Sequence, residues 1–328
     1  MGTDGPVVET RDLTKRYGKF VALDGLTIAV GRGQILGFIG PNGAGKTTTI
    51  KILVGLARPT AGSARIAGID CVAEPRKIKR LIGYMPDTFG SYDNMRVGEY
   101  LDFFGAAFGL PRRARSKRID EVLSLAGAAT FRNLYVESLS HGMKQRVAIA
   151  RTLLHDPPAL ILDEPANGLD PQARIEMRHL LLGLAERGKT LIVTSHILPE
   201  LARICHRVAI IARGKLQAYG TLEQIARQLS QTRPMEVLLV DAAQIGQAAE
   251  VVRRHVEPKA EVTPSEVESA IRFRTAKSEA ELGGLLAALV AAGVTVAQFR
   301  EIQTDLEEAF MSVARSDDAD LPVVEEAE

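Results

Sequence analysis

Residues 40–47 have the residue types and spacing of a phosphate-binding loop. They read Gly-Pro-Asn-Gly-Ala-Gly-Lys-Thr, which fits the pattern G-x-x-x-x-G-K-[ST]. Gly43 and Gly45 can adopt backbone angles that a Cβ disfavours, so successive N–H groups can point into one concavity. The Lys46 ammonium would reach the β- and γ-phosphates, and the Thr47 hydroxyl would ligate Mg²⁺. The residues expected around the phosphates are Gly40, Pro41, Asn42, Gly43, Ala44, Gly45, Lys46, Thr47 and Thr48.

Two adjacent carboxylates, Asp163 and Glu164, follow four apolar residues at 159–162. Such a run indicates a buried parallel strand, and open parallel sheets bind ligands at the carboxyl ends of their strands. Asp163 suits Mg²⁺, directly or through water, and Glu164 suits a general base that polarises the attacking water. The alternative, two acids ending a strand at the surface, is weak downstream of a phosphate loop. His196 ends another strand-like segment and would sense the γ-phosphate, although a single histidine is more often structural.

The elements that must position these residues alternate between strand and helix. Segment 35–39 is a strand before the loop, and a helix follows it to about residue 53. This context disfavours an ordinary glycine turn before a helix. Upstream, two or three short strands are expected, at 7–10, 21–23 and 26–30. Tyr17 lies between them, either as a surface aromatic or as a stacking platform for a base.

Helical patterns dominate residues 96–137, and a basic run at 112–118 is interpreted as a solvated helix face rather than a membrane-binding patch. Ser140 and Asp170 are expected to cap helices, with Pro171 at the first helical position after Asp170. Residues 207–211 and 215–219 indicate a hairpin. The predicted fold class is α/β, with a parallel core sheet, an antiparallel β subdomain and a helical subdomain at about 88–155.

The chain changes character after residues 231–234. Strands are expected at 235–240, 259–263, 269–275 and 294–301, with helices at 242–254, 278–292 and 304–314. The first six elements have the β-α-β-β-α-β order of a split βαβ, ferredoxin-like fold. The domains are therefore predicted as 1–230, an accessory domain at 231–314, and a disordered acidic tail at 315–328. A docking or regulatory module is favoured for 231–314, and binding of a small regulatory ligand by residues 235–314 is the alternative.

The bulk composition narrows the class of protein. The 328 residues include 41 Lys and Arg against 40 Asp and Glu, a net charge of +1 that gives no reason to expect nucleic acid as a partner. Two cysteines make neither a disulfide framework nor a metal spacing, which favours a reducing compartment. No secretory signal is visible, and no apolar run is long enough to cross a bilayer.

The order of these motifs resembles the nucleotide-binding subunits of ABC transporters, over roughly residues 7–220. The resemblance depends on six features in order: Tyr17, the loop 40–47, the signature-like 139–143, the strand 159–163 with Glu164, the Gly-Leu-Asp segment at 168–170, and His196. It implies an ATP- and Mg²⁺-dependent ATPase. Asp87 stands at the Q-loop and Asp170 in the D-loop, and the residues implied to contact Mg²⁺ are Thr47, Asp163 and Asp87.

The resemblance also implies a head-to-tail dimer, in which each ATP lies between the loop 40–47 of one subunit and the signature of the other. The signature residues are Ser140, His141, Gly142 and Met143. Two positions depart from the family pattern. The signature reads LSHGM rather than LSGGQ, which bears on affinity across the dimer. Asp87 replaces the usual Gln, which bears on coupling to a membrane partner.

Residues 84–87, 92–95 and 304–310 look most like ATPase subunits of the ABC-2 exporter group. That implies an exporter motor that dimerises on ATP, drives a separate membrane permease and works at the cytoplasmic face of the cell membrane. The alternative is a soluble ABC ATPase that acts on the ribosome or on DNA. One cassette per chain, no long coiled-coil insertion and a near-zero net charge disfavour this alternative.

Overall fold

The computed structural model describes residues 5–88, 90, 94–195, 201–229, 233–258 and 260–302. The chain divides into two compact units, Met1–Ile225 and Ala226–Glu328. In the part of the chain described, no helix combines the length and apolarity needed to cross a membrane. Three expectations, His196, the helix at 304–314 and the acidic tail, fall outside the described residues.

The first unit opens with an antiparallel sheet in the order β2-β1-β4-β5. The two or three strands expected at 7–30 are two, and they are longer than expected, because bulges shift the β1–β2 register and Asp12 takes a positive φ of 47° without ending its strand. A bulge adds a residue to one strand, so the alternation of polar and apolar residues is interrupted there. The strands are β1 (Val8–Tyr17), β2 (Phe20–Val30), β4 (Ala61–Ile66) and β5 (Ile69–Asp70).

The central sheet of the first unit has the order β10-β9-β3-β8-β7-β6. Its strands are β3 (Ile35–Ile39), β6 (Ile82–Met85), β7 (Ala159–Leu162), β8 (Thr190–Ser195), β9 (Arg207–Ala212) and β10 (Lys215–Gly220). All neighbours are parallel except β9 and β10, which form the expected antiparallel hairpin. Every residue of β3, β7 and β8 is buried. The carboxyl ends of β3, β8 and β7 therefore lie side by side at one edge.

Seven α-helices with described bounds lie or begin in this unit: α1 (Lys46–Leu53), α2 (Pro75–Leu81), α3 (Val97–Ala107), α4 (Arg112–Leu125), α5 (His141–Leu153), α6 (Pro171–Glu186) and α7 (Leu222–Leu229). The basic run begins α4, and its solvated-face interpretation is wrong for two residues. Arg115 donates to Asp102 at 2.7 Å. Arg118 donates to the carbonyl oxygens that end α5, at Leu153 and Leu154, where a cation also complements the helix dipole.

The second unit has the β-α-β-β-α-β order of a ferredoxin-like fold, with sheet order β12-β13-β11-β14. Val237, Phe273 and Leu285 belong to its own apolar core. The edge strand β12 lies later than the expected 259–263 and contains Pro264, which an edge tolerates because its missing N–H would face away from the sheet. The elements are β11 (Arg233–Leu239), α8 (Ile245–His255), β12 (Val262–Ser265), β13 (Ala270–Thr275), α9 (Glu279–Ala291) and β14 (Val296–Glu301).

Candidate functional site

The loop between β3 and α1 has the backbone geometry that anion capture requires. Gly43 and Gly45 have positive φ values of 78° and 109°. Gly45 is also closely packed, since a Cβ there would lie 2.8 Å from the carbonyl oxygen of Ala22. Gly45 precedes the first residue of α1, so the free N–H groups of the helix begin at the loop. Pro41, Asn42 and Gly43 are exposed, whereas Ala44 and Gly45 are buried beneath them.

Lys46 connects this loop with the two carboxylates. Its ammonium donates to the carbonyl oxygen of Gly40 and, at 3.2 Å, to that of Pro41. Burial lowers the pKa of Lys46, and the nearby charges of Glu164 and Asp163 oppose that shift. The strand order therefore brings together a cation and two acids that lie more than a hundred positions apart in sequence. Such a cluster can hold a phosphate and a divalent cation.

Asp163 and Glu164 are held at the end of β7 by the neighbouring strands. The N–H of Asp163 donates to the carbonyl oxygen of Met85 on β6 at 2.9 Å. On the other side, the Thr194 hydroxyl of β8 donates to Asp163 Oδ1 at 2.6 Å and accepts the N–H of Glu164 at 2.9 Å. Glu164 has a positive φ of 51°. Asp163 and Glu164 are both half-buried. Hydrogen bonds from their backbone N–H groups to β6 and β8 hold this part of the chain in place.

Tyr84 on β6 is not among the expected site residues, yet its pKa is affected by both Asp87 and Asp163. Burial raises the pKa of the Tyr84 phenol, and the carboxylates of Asp163 and Asp87 raise it further. Asp87 is exposed just beyond the end of β6. Asp87 and Asp163 are thus both near enough to the Tyr84 phenol to affect its pKa.

The oxygen ligands at this sheet edge suit Mg²⁺ that is bound partly by water and phosphate, rather than a metal ion held by protein side chains alone. Among the described residues, no cluster of three or more His, Cys, Asp or Glu could hold a metal ion. Mg²⁺ keeps several waters and commonly takes one or two carboxylates together with substrate phosphates. Asp163, Asp87 and the exposed Thr47 hydroxyl have that chemistry, while Thr48 is half-buried beside Thr47.

The signature-like residues begin α5 and pack against the segment that follows Glu164. Ser140 is the helix N-cap, and its hydroxyl accepts the N–H of Met143 at 3.3 Å. The His141 imidazole contacts the carbonyl oxygen of Asn167 at 2.8 Å. A Cβ at Gly142 would lie 3.4 Å from Leu169. In the described part of the chain, no hydrogen bond joins residues 140–143 to the loop 40–47.

Asp170 caps α6, as expected, by accepting the N–H of Ala173 at 2.9 Å.

Tyr17 ends β1 with 49% of its surface exposed, and the Lys15 ammonium lies 4.7 Å from the centroid of its ring. The ring is therefore at an exposed hairpin end, available to a stacking partner. Thr194 is not among the site residues predicted from sequence. The feature that could have indicated it is its place beside Ser195 at the polar end of a buried strand.

Comparisons with known proteins show which family this chain belongs to. A family model described as ABC transporter matches residues 23–167. YbhF of Escherichia coli K12, a probable multidrug ABC transporter ATP-binding protein, is 40% identical over 228 residues, which cover 69% of this chain but 39% of YbhF. The bacitracin transport ATP-binding protein BcrA of Bacillus licheniformis is 36% identical over 308 residues, covering 94% of this chain and 97% of BcrA.

A solved dimeric bacterial ABC transporter cassette matches with a TM-score of 0.60 and 29% identity, covering 66% of this chain and 98% of the cassette. The expected fold class is confirmed, since that cassette and this chain share the same α/β architecture. The expectation of an ATP-binding ABC domain is confirmed as well. On the match to BcrA over nearly its whole length, the chain belongs to the family of ABC transporter ATP-binding subunits.

Proposed function

We propose that this chain is the ATP-hydrolysing motor of an exporter, and that it works as a dimer on a separate membrane permease. The observation that carries the proposal is the cluster of Lys46, Asp163 and Glu164 at the carboxyl ends of β3 and β7. It combines a phosphate-binding cation, a metal-binding carboxylate and a candidate base in one place.

Each residue in this cluster has a defined part in hydrolysis. Lys46 and the N–H groups of the loop hold the phosphates, and Thr47, Asp163 and Asp87 would hold Mg²⁺. The metal, when bound, supplies positive charge that neutralises the phosphate oxygens. Glu164 accepts a proton from the attacking water, which makes that water a better nucleophile. His196, which lies outside the described residues, stays the predicted contact to the γ-phosphate.

The second half of the site comes from a partner subunit. Ser140 is exposed, and a hydroxyl that accepts the N–H of Met143 still has its own O–H to donate to a phosphate. The N–H groups at the start of α5, including that of Gly142, are suited to the same anion. The similarity to a dimeric ABC transporter cassette supports this arrangement.

The transport role is supported by the relatives rather than by a cargo site in this chain. YbhF is described as a probable multidrug ABC transporter ATP-binding protein, and BcrA as a bacitracin transport ATP-binding protein. We therefore place the chain at the cytoplasmic face of a membrane, bound to a permease that selects the cargo. The alternative of a ribosome- or DNA-directed ATPase receives no support from these relatives.

Steady-state hydrolysis of Mg·ATP by the purified full chain tests the proposal. Glu164→Gln removes the base but keeps the size of the side chain, and we expect turnover to fall about 100-fold or more. ATP binding should persist, because Lys46 and the loop are intact. Glu186→Gln, at an exposed position in the last turn of α6, is the matched control. An unchanged rate in Glu164→Gln would remove Glu164 as the base.

A further inference from the structure

We propose that His141 is a positioning residue that couples the signature helix to Glu164 of the same subunit. This inference rests on the proposed function, because it assigns a role to a residue beside the proposed ATP site. The family's usual signature has glycine at this position, which offers no side chain for such a contact. The proposal is carried by a continuous set of hydrogen bonds between α5 and the end of β7.

The first step joins His141 to the segment after Glu164. His141 Nε2 lies 2.8 Å from the carbonyl oxygen of Asn167. A carbonyl oxygen only accepts, so Nε2 carries the proton and donates it. The ring also covers Gly168, where a Cβ would lie 3.4 Å from two imidazole atoms. Gly168 has a positive φ of 70°, so a side chain there would be strained as well as close to the ring.

The second step restricts the ring by packing. Gln145 follows His141 by one helical turn and is only 2% exposed. Its side-chain nitrogen lies 3.4 Å from His141 Nε2. Both nitrogens are donors when Nε2 donates to Asn167, so this is a packing contact and not a hydrogen bond. The imidazole therefore packs against a buried side chain of its own helix while it donates to the Asn167 carbonyl. A shift of α5 would be transmitted to Asn167 rather than absorbed by rotation of a free side chain.

The third step runs from Asn167 to the proposed base. The N–H of Asn167 donates to the carbonyl oxygen of Glu164 at 3.1 Å, and the N–H of Glu164 donates to Thr194 at 2.9 Å. Glu164 has a φ of 51°, a left-handed conformation that persists only where its surroundings maintain it. Hydrogen bonds on both sides of its peptide maintain it here, and His141 contributes to one of them through Asn167.

The functional consequence follows from the dimer. Ser140 and Gly142 would contact the ATP held by the partner, while Glu164 acts on the ATP of its own subunit. His141 stands between Ser140 and Gly142 in the sequence, and its hydrogen bond to Asn167 connects the signature with the segment that follows Glu164. Capture of the partner's ATP would therefore favour the active conformation of Glu164, and hydrolysis would depend cooperatively on ATP concentration.

Substitutions at His141 test this coupling in the full chain. His141→Leu keeps bulk but removes the donor, and His141→Gln restores an N–H at a similar reach. For His141→Leu we expect kcat to fall about tenfold, the Hill coefficient for ATP to fall towards one, and ATP affinity to stay within about twofold. Hydrogen exchange of the Asn167 amide should become faster. His141→Gln should recover all of these quantities.

His179→Leu, at an exposed position on α6, is the matched control for the substitution itself. If His141→Leu does not fold, His141→Gly with the family's residue provides the same comparison. Wild-type kcat, Hill coefficient and Asn167 exchange in the donor-free variant would overturn the coupling role. Loss of turnover in Glu164→Gln is measured alongside, so that a failure of the proposed function is recognised separately from a failure of this inference.

Discussion

The hydroxyl of Thr194 donates a 2.6 Å hydrogen bond to Oδ1 of Asp163, across the boundary between β8 and β7. The hydroxyl oxygen of Thr194 also accepts a hydrogen bond from the N–H of Glu164, at 2.9 Å. Thr194 is fully buried. One neutral side chain thus orients the proposed metal ligand and fixes the backbone of the proposed base, so it should matter to turnover without contacting the nucleotide.

Thr194→Val is the first test of that relationship. Valine keeps the shape of threonine but leaves the Glu164 N–H and the Asp163 carboxylate without the hydroxyl. We expect the free energy of unfolding to fall by about 1–3 kcal/mol and kcat to fall more than the affinity for ATP. Urea unfolding and steady-state kinetics measure the two effects. Thr194→Ser keeps the hydroxyl and should stay near wild type; equal losses in Ser and Val would contradict this role.

The phosphate loop makes a second prediction, in which two glycines differ. Gly45→Ala places a Cβ 2.8 Å from the Ala22 carbonyl oxygen and from the Leu23 side chain, at a φ of 109°. Gly43→Ala also has a positive φ, but nothing lies within 4 Å of the new Cβ. We expect the free energy of unfolding to fall by about 2–4 kcal/mol for Gly45→Ala and by about 1 kcal/mol for Gly43→Ala. Equal stability of the two variants in urea would refute this packing argument.

A third prediction concerns the second unit and pH. Glu236 on β11 is 3% exposed and accepts hydrogen bonds from Arg300 at 2.7 Å and Arg272 at 2.9 Å. The hydrogen bond from Arg300 is the main cause that lowers the pKa of Glu236 below its ordinary 4.5. Because the folded pKa lies below the unfolded value, this stabilisation is complete above pH 4.5 and is lost as the pH falls further.

Glu236→Gln should remove that part of the acid dependence and cost about 1–3 kcal/mol at pH 7, since the arginines lose their charged acceptor. Urea unfolding at pH 7 and below pH 4.5 measures both effects. Glu261→Gln, at an exposed position of the same unit, is the control. If Glu236→Gln destabilised the chain equally at both pH values, the stated linkage would be wrong.

Much of the site could be predicted from sequence because its parts are local. The loop 40–47 has a spacing that few other structures require, and Asp163 and Glu164 follow a strand whose four residues are all apolar. Ser140 and Asp170 are helix caps that act on residues three positions away. Each of these features depends on neighbours along the chain, and periodicity and residue type describe such neighbours well.

The remaining features depend on contacts between distant segments. Thr194 is an ordinary strand residue until the order β3-β8-β7 places its hydroxyl beside Asp163. His141 reads as an unusual signature residue, and its bond to Asn167 joins positions 26 apart. The strands β1 and β2 were expected in pieces because bulges, which restart the alternation, leave no sign in residue types. Tertiary packing decides all three.

The central claim is that one chain supplies only half of each ATP site, and dimerisation tests it most directly. Sedimentation velocity of Glu164→Gln should show monomer without nucleotide and dimer with Mg·ATP, because bound ATP cannot be hydrolysed to release the partner. Glu164→Gln with Ser140→Arg should bind ATP and remain monomeric, since the exposed signature serine is replaced by a bulky side chain. A Glu164→Gln chain that binds ATP yet stays monomeric, or a dimer that forms equally well with Ser140→Arg, would contradict the account.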